Sequence, residues 1–150
     1  MTIRKPEPRD RENYLAMSKE FYSTDAVLQP VPEENFAKTF DLLLSGSLYA
    51  DAYFAEEDGK AAGYALLSFS WSNEAGGMVV WLEEIYVRPK FRGTGVGSRL
   101  IGRIFRDYGG KAVRFRLETE DSNTGARRLY ERLGFRDFPY RQMKLETAKG

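Results

Sequence analysis

Apolar residues recur along this chain with two different periods, and the alternation between them lays out its elements. Thr2 to Lys5 reads as a short first strand, closed by Pro6 and Pro8, with Asp10 placed to cap a helix. Tyr14, Met17 and Phe21 come next at helical spacing. Ser23 to Val31 is an irregular connection. A second helix is predicted from near Pro32, with Phe36, Phe40, Leu43 and Leu44 on its apolar face. Ala52 to Glu56 and Ala61 to Trp71 read as strands joined by Glu57-Asp58-Gly59-Lys60, since Asp-Gly is a strong hairpin signal. Ser72 to Gly77 is a loop, and Met78 to Val87 a β-branched and aromatic strand closed by Pro89. A helix is predicted from about Gly95 to Tyr108, with Val96, Leu100, Ile104 and Tyr108 at steps of four and Gly109-Gly110 ending it. Ala112 to Leu117 is a strand, Thr124 to Leu133 a helix ended by Gly134, and Phe138 to Leu145 a final strand. The order β-α-α-β-β-β-α-β-α-β predicts a mostly antiparallel first half leading into a parallel β-α-β crossover, with helices on both faces of one mixed sheet.

Composition narrows the chemistry. The 150 residues suit a single domain, residues 1–150, with one substantial core. The balance of 23 basic against 22 acidic residues gives a net charge of +1. That argues against nucleic acid or an anionic membrane as a bulk partner. Met1 to Arg11 is charged and has no apolar core, so no secretory leader is expected; no run approaches the length of a membrane span, and a cytoplasmic location is the expectation. There is no cysteine and no histidine. Disulfides, thiolate nucleophiles, His-based triads and the usual zinc sites are thereby removed, and no metal is expected.

The most informative stretch is LEEIYVRPKFRGTGVGSRL, Leu82 to Leu100. A strand runs into Gly93, Gly95 and Gly97, and a helix begins. Without Cβ atoms these positions admit a ligand close to the backbone. The first-turn amides lack intrahelical partners and sit at the positive end of the helix dipole, which suits an anion. Arg92 adds a positive charge. A tight turn with no ligand would account for three glycines equally well. The nucleoside-triphosphate loop G-x-x-x-x-G-K-[ST] is absent, and Ser98 stands where a dinucleotide fingerprint needs its third glycine.

Arg92, Gly95 and Gly97 in the spacing R-x-x-G-x-G, after Val87 and Pro89, resemble the acyl-CoA signature of the GNAT superfamily of N-acetyltransferases. Asn123, Ala126, Tyr130, Gly134 and Phe135 resemble its second signature, N-x-x-A-x-x-x-Y-x-x-x-G-F. The clear resemblance covers roughly Val79 to Phe135. It implies an α/β acyl-CoA N-acyltransferase fold: a mixed, mostly antiparallel six- to seven-stranded sheet with helices on both faces. It further implies that the backbone of Ile85, Tyr86 and Val87 pairs with the pantetheine of acetyl-CoA. The amides of Gly93, Thr94, Gly95, Val96, Gly97 and Ser98 would hold its pyrophosphate, and Asn123 would reach the pantetheine end. Dimers are common in the family, so a homodimer is the expectation.

With cysteine and histidine absent, direct attack of the amine on the thioester is the economical route. The resemblance places Tyr130 as general acid near the sulfur. Glu83 and Glu84 are candidate bases; neighbours in a strand point to opposite faces, so one of them should reach the site. Leu82-Glu83-Glu84 resembles a segment of polyamine acetyltransferases, in which the first acid contacts the amine, and this favours Glu83 and a small-molecule amine as acceptor. An acyl-CoA-binding module with little catalysis, or a protein acetyltransferase, are the alternatives. Arg114, Arg116, Arg127 and Arg128 are candidates for the cofactor's 3′-phosphate. Tyr22, Asp25, Glu33, Glu34, Trp71 and Trp81 are candidates for the acceptor pocket.

Overall fold

A computed structural model of the chain describes residues 1–23 and 30–147. Its elements are β1 (Thr2–Arg4), α1 (Arg11–Phe21), α2 (Glu33–Leu44), β2 (Ala50–Glu57), β3 (Lys60–Ser72), β4 (Gly77–Val87), α3 (Val96–Tyr108), β5 (Ala112–Leu117) and α4 (Thr124–Arg132). The strands form one sheet in chain order, β1-β2-β3-β4-β5, antiparallel except for the parallel β4–β5 pair that α3 connects. The expected β2–β3 hairpin is present, with Asp58 (φ +49°) and Gly59 (φ +72°) both left-handed, the conformation such a two-residue turn requires.

Apolar residues collect on both faces. Tyr14 and Met17 of α1 and Phe36 and Phe40 of α2 cover one face with Phe54, Tyr64 and Tyr86. Leu100, Ile101 and Ile104 of α3 cover the other with Tyr53, Leu67, Val80 and Leu82. Full burial of each such side chain contributes about 1.5–3 kcal/mol. Strands β3 and β4 meet closely at Gly63, where a Cβ would lie 2.3 Å from the carbonyl oxygen of Tyr86.

The sheet has five strands among the described residues, not the six or seven expected. Phe138 to Leu145 forms no ladder. Pro139 removes one main-chain donor, and the segment is tethered by side chains instead. Arg114 and Arg116 stack on the Phe138 ring, and the Tyr140 hydroxyl donates to Glu74 at 2.8 Å. Met143 and Leu145 are left 94% and 90% exposed. No helix of the described residues is long and apolar enough to cross a membrane.

Candidate functional site

Strand β4 ends at Val87, and a 3-10 turn over Pro89–Phe91 redirects the chain toward α3. Gly93 (φ +77°) and Gly95 (φ +86°) are left-handed, and a Cβ on either would meet no atom within 4 Å. Glycine is needed there for backbone conformation, not for space inside the protein. The loop is pinned from within. The Thr94 hydroxyl donates to the Phe91 carbonyl at 2.6 Å, and the Arg92 Nε donates to the Val87 carbonyl at 3.0 Å. The first helical bond runs from Arg99 N–H to the Gly95 carbonyl. Among the described residues, no protein acceptor meets the six consecutive amides of Gly93 to Ser98. Six free donors at a helix N-terminus, with Arg92 beside them, are the donor set that a diphosphate group requires.

The opening next to this cradle comes from unequal strand lengths. Strand β4 pairs with β5 only from Met78 to Leu82, then runs five more residues without a β5 partner. The Arg88 N–H donates to Ala62 across β3. By two-residue alternation Tyr86 also turns its main-chain groups to β3, whereas Ile85 and Val87 turn theirs to the open side. A strand edge left unpaired in this way can accept an amide-bearing chain. The divergence begins at a β-bulge. The register steps from Leu66↔Glu84 to Leu67↔Leu82, leaving Glu83 as the extra residue.

The bulge separates the two carboxylates. Glu83 is exposed and accepts a hydrogen bond from the Ser68 hydroxyl. Glu84 is only 9% exposed, on the face covered by α1 and α2. Tyr64 donates to its Oε1 at 2.6 Å, and Tyr22 donates to its Oε2. Burial pushes the Glu84 carboxyl above its ordinary value; the two tyrosine hydrogen bonds oppose that shift, and the charge of Glu83 adds to it. Both tyrosines are pushed up in turn, by burial first and by Glu84 second. Tyr22 is held at this position by stacking on Phe36, with ring centroids 5.3 Å apart.

Helix α4 brings the second signature alongside. Leu129 lies 3.6 Å from where a Gly97 Cβ would be, so α4 rests on the first turn of α3. Tyr130, the next residue, packs edge-on against Phe135 and lines a cavity of about 390 Å³ between β5, α4 and the C-terminal segment. Burial raises the Tyr130 phenol above its ordinary value, and among the described residues its hydroxyl has no hydrogen-bond partner. Asn123 caps α4, its Oδ1 accepting from the Ala126 N–H at 3.4 Å.

A family profile described as "Acetyltransferase (GNAT) family" matches residues 14–135. The chain belongs to the GNAT acetyltransferase family. It is 32% identical over 140 residues to an uncharacterized N-acetyltransferase of Methanocaldococcus jannaschii, covering 91% of this chain and 79% of that protein. It is 41% identical over 76 residues to the thialysine N-epsilon-acetyltransferase of Sus scrofa, covering 50% of this chain and 44% of that one. The match thus spans less than half the length of the thialysine enzyme. In fold it superposes on aminoglycoside N-acetyltransferase AAC(6')-Iy in complex with CoA, with TM-score 0.80 and 22% identity over 98% of this chain and 95% of that one.

Within the GNAT fold, the glycine-loop amides and the open edge at Ile85 and Val87 lie together at the end of β4, with Leu129 of α4 against the loop, whereas Tyr130 faces the cavity beside β5. The other candidates fare differently. Arg127 is held by Asp137 and Glu131, and Arg114 by Glu74. Glu33 pairs with Lys19, and Trp71 is exposed at the end of β3. Asp25 lies outside the described residues. What sequence reasoning undervalued is the cage of Tyr22 and Tyr64 around Glu84, because a bulge leaves no signature in hydrophobic alternation. The described residues contain no group of three or more acidic side chains placed to hold a metal ion.

Proposed function

We propose that this chain is an acetyl-CoA-dependent N-acetyltransferase that acts directly on the primary amine of a small molecule. The observation that carries the reading is the row of six free amides at the start of α3, next to an unpaired stretch of β4. The names of the thialysine and aminoglycoside enzymes support a small amine as acceptor.

Bound acetyl-CoA supplies an activated acetyl thioester. The Gly93 to Ser98 amides and Arg92 hold its pyrophosphate, and the outward main-chain groups of Ile85 and the N–H of Val87 pair with the pantetheine, the Val87 carbonyl being taken by Arg92, with Tyr86 keeping the strand in register and Asn123 closing the far side. Glu83, at the exposed rim, attracts the incoming ammonium. Glu84 accepts its proton; a buried carboxyl with a raised pKa is a better match to an amine than an ordinary carboxylate. Tyr130 stays protonated because it is buried, and it gives its proton to the departing sulfur. Single-domain organisation and a homodimer complete the reading. The dimer is supported by the outer edge of β5, where Val113 is 54% exposed and no strand of the described residues pairs.

The test is release of free thiol from acetyl-CoA with a broad panel of small amines. Tyr130→Phe should lower kcat about 100-fold while CoA binding is retained. Binding of acetyl-CoA with no thiol released by any amine would favour the alternative, a binding module.

A further inference from the structure

The two phenols bonded to Glu84 lead in different directions. No lysine or arginine of the described residues lies within ion-pair distance of this carboxylate; its partners are Tyr64 at Oε1 and Tyr22 at Oε2. Tyr64 is fully buried, its ring enclosed by Tyr14, Phe54 and Tyr86. A proton sent that way stays in the core. Tyr22 is half-buried, just past the C-terminal end of α1. Its phenol also feels the charge of Glu83, the exposed acid at the rim. Glu84 is itself only 9% exposed. Among the described residues, the Tyr22 hydroxyl is therefore the polar link from the buried carboxylate to the rim.

The link is held firmly in place. The Tyr22 ring stacks on Phe36 and meets Phe21 edge-on, with centroids 5.3 and 4.9 Å away. Its N–H donates to the Ser18 carbonyl at 3.0 Å. A phenol donates and accepts at once. With its hydrogen given to Oε2, the Tyr22 oxygen keeps a lone pair for an incoming N–H. Burial first and the Glu84 charge second push the phenol above its ordinary value, so it does not ionise by itself. It can pass a proton on only by gaining one as it loses one.

We propose that Tyr22 is a catalytic residue whose oxygen takes a proton from the acceptor ammonium as its own hydroxyl proton passes to Glu84 Oε2. An N–H bond breaks as an O–H bond forms at Tyr22, and the original O–H bond of Tyr22 breaks as one forms at Glu84. The ammonium becomes an amine with a free lone pair, the phenol ends as it began, and the carboxylate becomes a carboxylic acid. An ammonium and a carboxylate with no cation of its own are neutralised together, which suits a site of low polarity. This rests on the acetyltransferase reading above, with Glu84 as the final proton acceptor, and adds the route to it.

The test compares two small amines at neutral pH: ethylamine, which is an ammonium there, and 2,2,2-trifluoroethylamine, which is already the free amine and has no such proton to lose. Tyr22→Phe keeps the ring and deletes the hydroxyl. It should lower kcat/KM for ethylamine about 100-fold, the scale of one acid–base group, and leave that for trifluoroethylamine within about 3-fold of wild type. Glu84→Gln should show the same selective loss. The double variant should lose no more than the worse single one, because the two groups act in series. Equal losses for the two amines in Tyr22→Phe, or losses that multiply in the double variant, would overturn the proposal. The path is also read without turnover. The hydroxyl proton of Tyr64, whose way to water runs through Glu84 and Tyr22, should exchange more slowly by NMR in Tyr22→Phe than in wild type; equal or faster exchange overturns the relay. Failure to acetylate either amine counts against the acetyltransferase reading, and the exchange measurement then decides the path separately.

Discussion

Replacing Tyr64 by phenylalanine deletes one of the two hydroxyls that keep Glu84 ionisable, with little other change. The ring stays among Tyr14, Phe54 and Tyr86, whose centroids lie 5.4, 6.4 and 6.3 Å away. What is lost is the 2.6 Å bond to Oε1. A hydrogen bond to a charged group contributes about 1.5–3 kcal/mol, and one pKa unit corresponds to about 1.4 kcal/mol. The ionised form of Glu84 loses that much support, so its pKa, already raised by burial, should rise further. If Glu84 accepts the amine proton, the acidic limb of kcat/KM against pH, measured at saturating acetyl-CoA, moves up. A second readout needs no activity. A carboxyl whose pKa is higher folded than unfolded holds its proton more tightly in the folded state, so it loses stability as pH rises. Tyr64→Phe should accordingly be more destabilised relative to wild type at pH 8 than at pH 5 in urea titrations. An acidic limb that stays in place or moves down, together with equal destabilisation at the two pH values, would refute the role given to Glu84.

Gly95→Ala forces a side chain into a left-handed conformation at a cost of about 1–2 kcal/mol. It should weaken CoA binding by calorimetry, whereas Gly97→Ala, whose Cβ meets only ordinary contacts with Leu129 and Val87, should leave the melting temperature unchanged or higher. Gly63→Ala drives a Cβ into the Tyr86 carbonyl and should cost about 2–3 kcal/mol, a fall of roughly 5–10 °C in melting temperature by calorimetry. Asp107, which accepts from Tyr53 at 2.7 Å and Arg103 at 2.8 Å, has its carboxyl held down to about 2. Asp107→Asn should lower the urea midpoint at neutral pH, and its gap from wild type should close as the pH falls towards 2.

Most of the fold is legible in the residues because local signals agree with one another. Asp58-Gly59 marks the hairpin, Gly109-Gly110 the end of α3, and the four-residue steps from Val96 to Tyr108 the helix between the phosphate loop and β5. The loop itself is legible because glycine spacing and a helix after it are both sequence properties. Three features were not. A final strand at Phe138 to Leu145 has the right alternation, yet a strand exists only where a partner offers main-chain groups. The bulge at Glu83 is a matter of register between β3 and β4, so composition cannot say which of two adjacent acids is sealed. Arg116 looks like any solvated arginine until the rings of Trp81 and Phe138 are seen against it.

That single extra residue in β4 is a removable spacer. Without Glu83, Leu82 and Glu84 would be direct neighbours facing opposite sides of the sheet, matched to Leu67 and Leu66, so no other side chain of the strand would change face. What would go is the local kink that an extra residue puts into a strand. A one-codon deletion there would leave both packed faces as they are and straighten the ribbon just where it now bends away from β5.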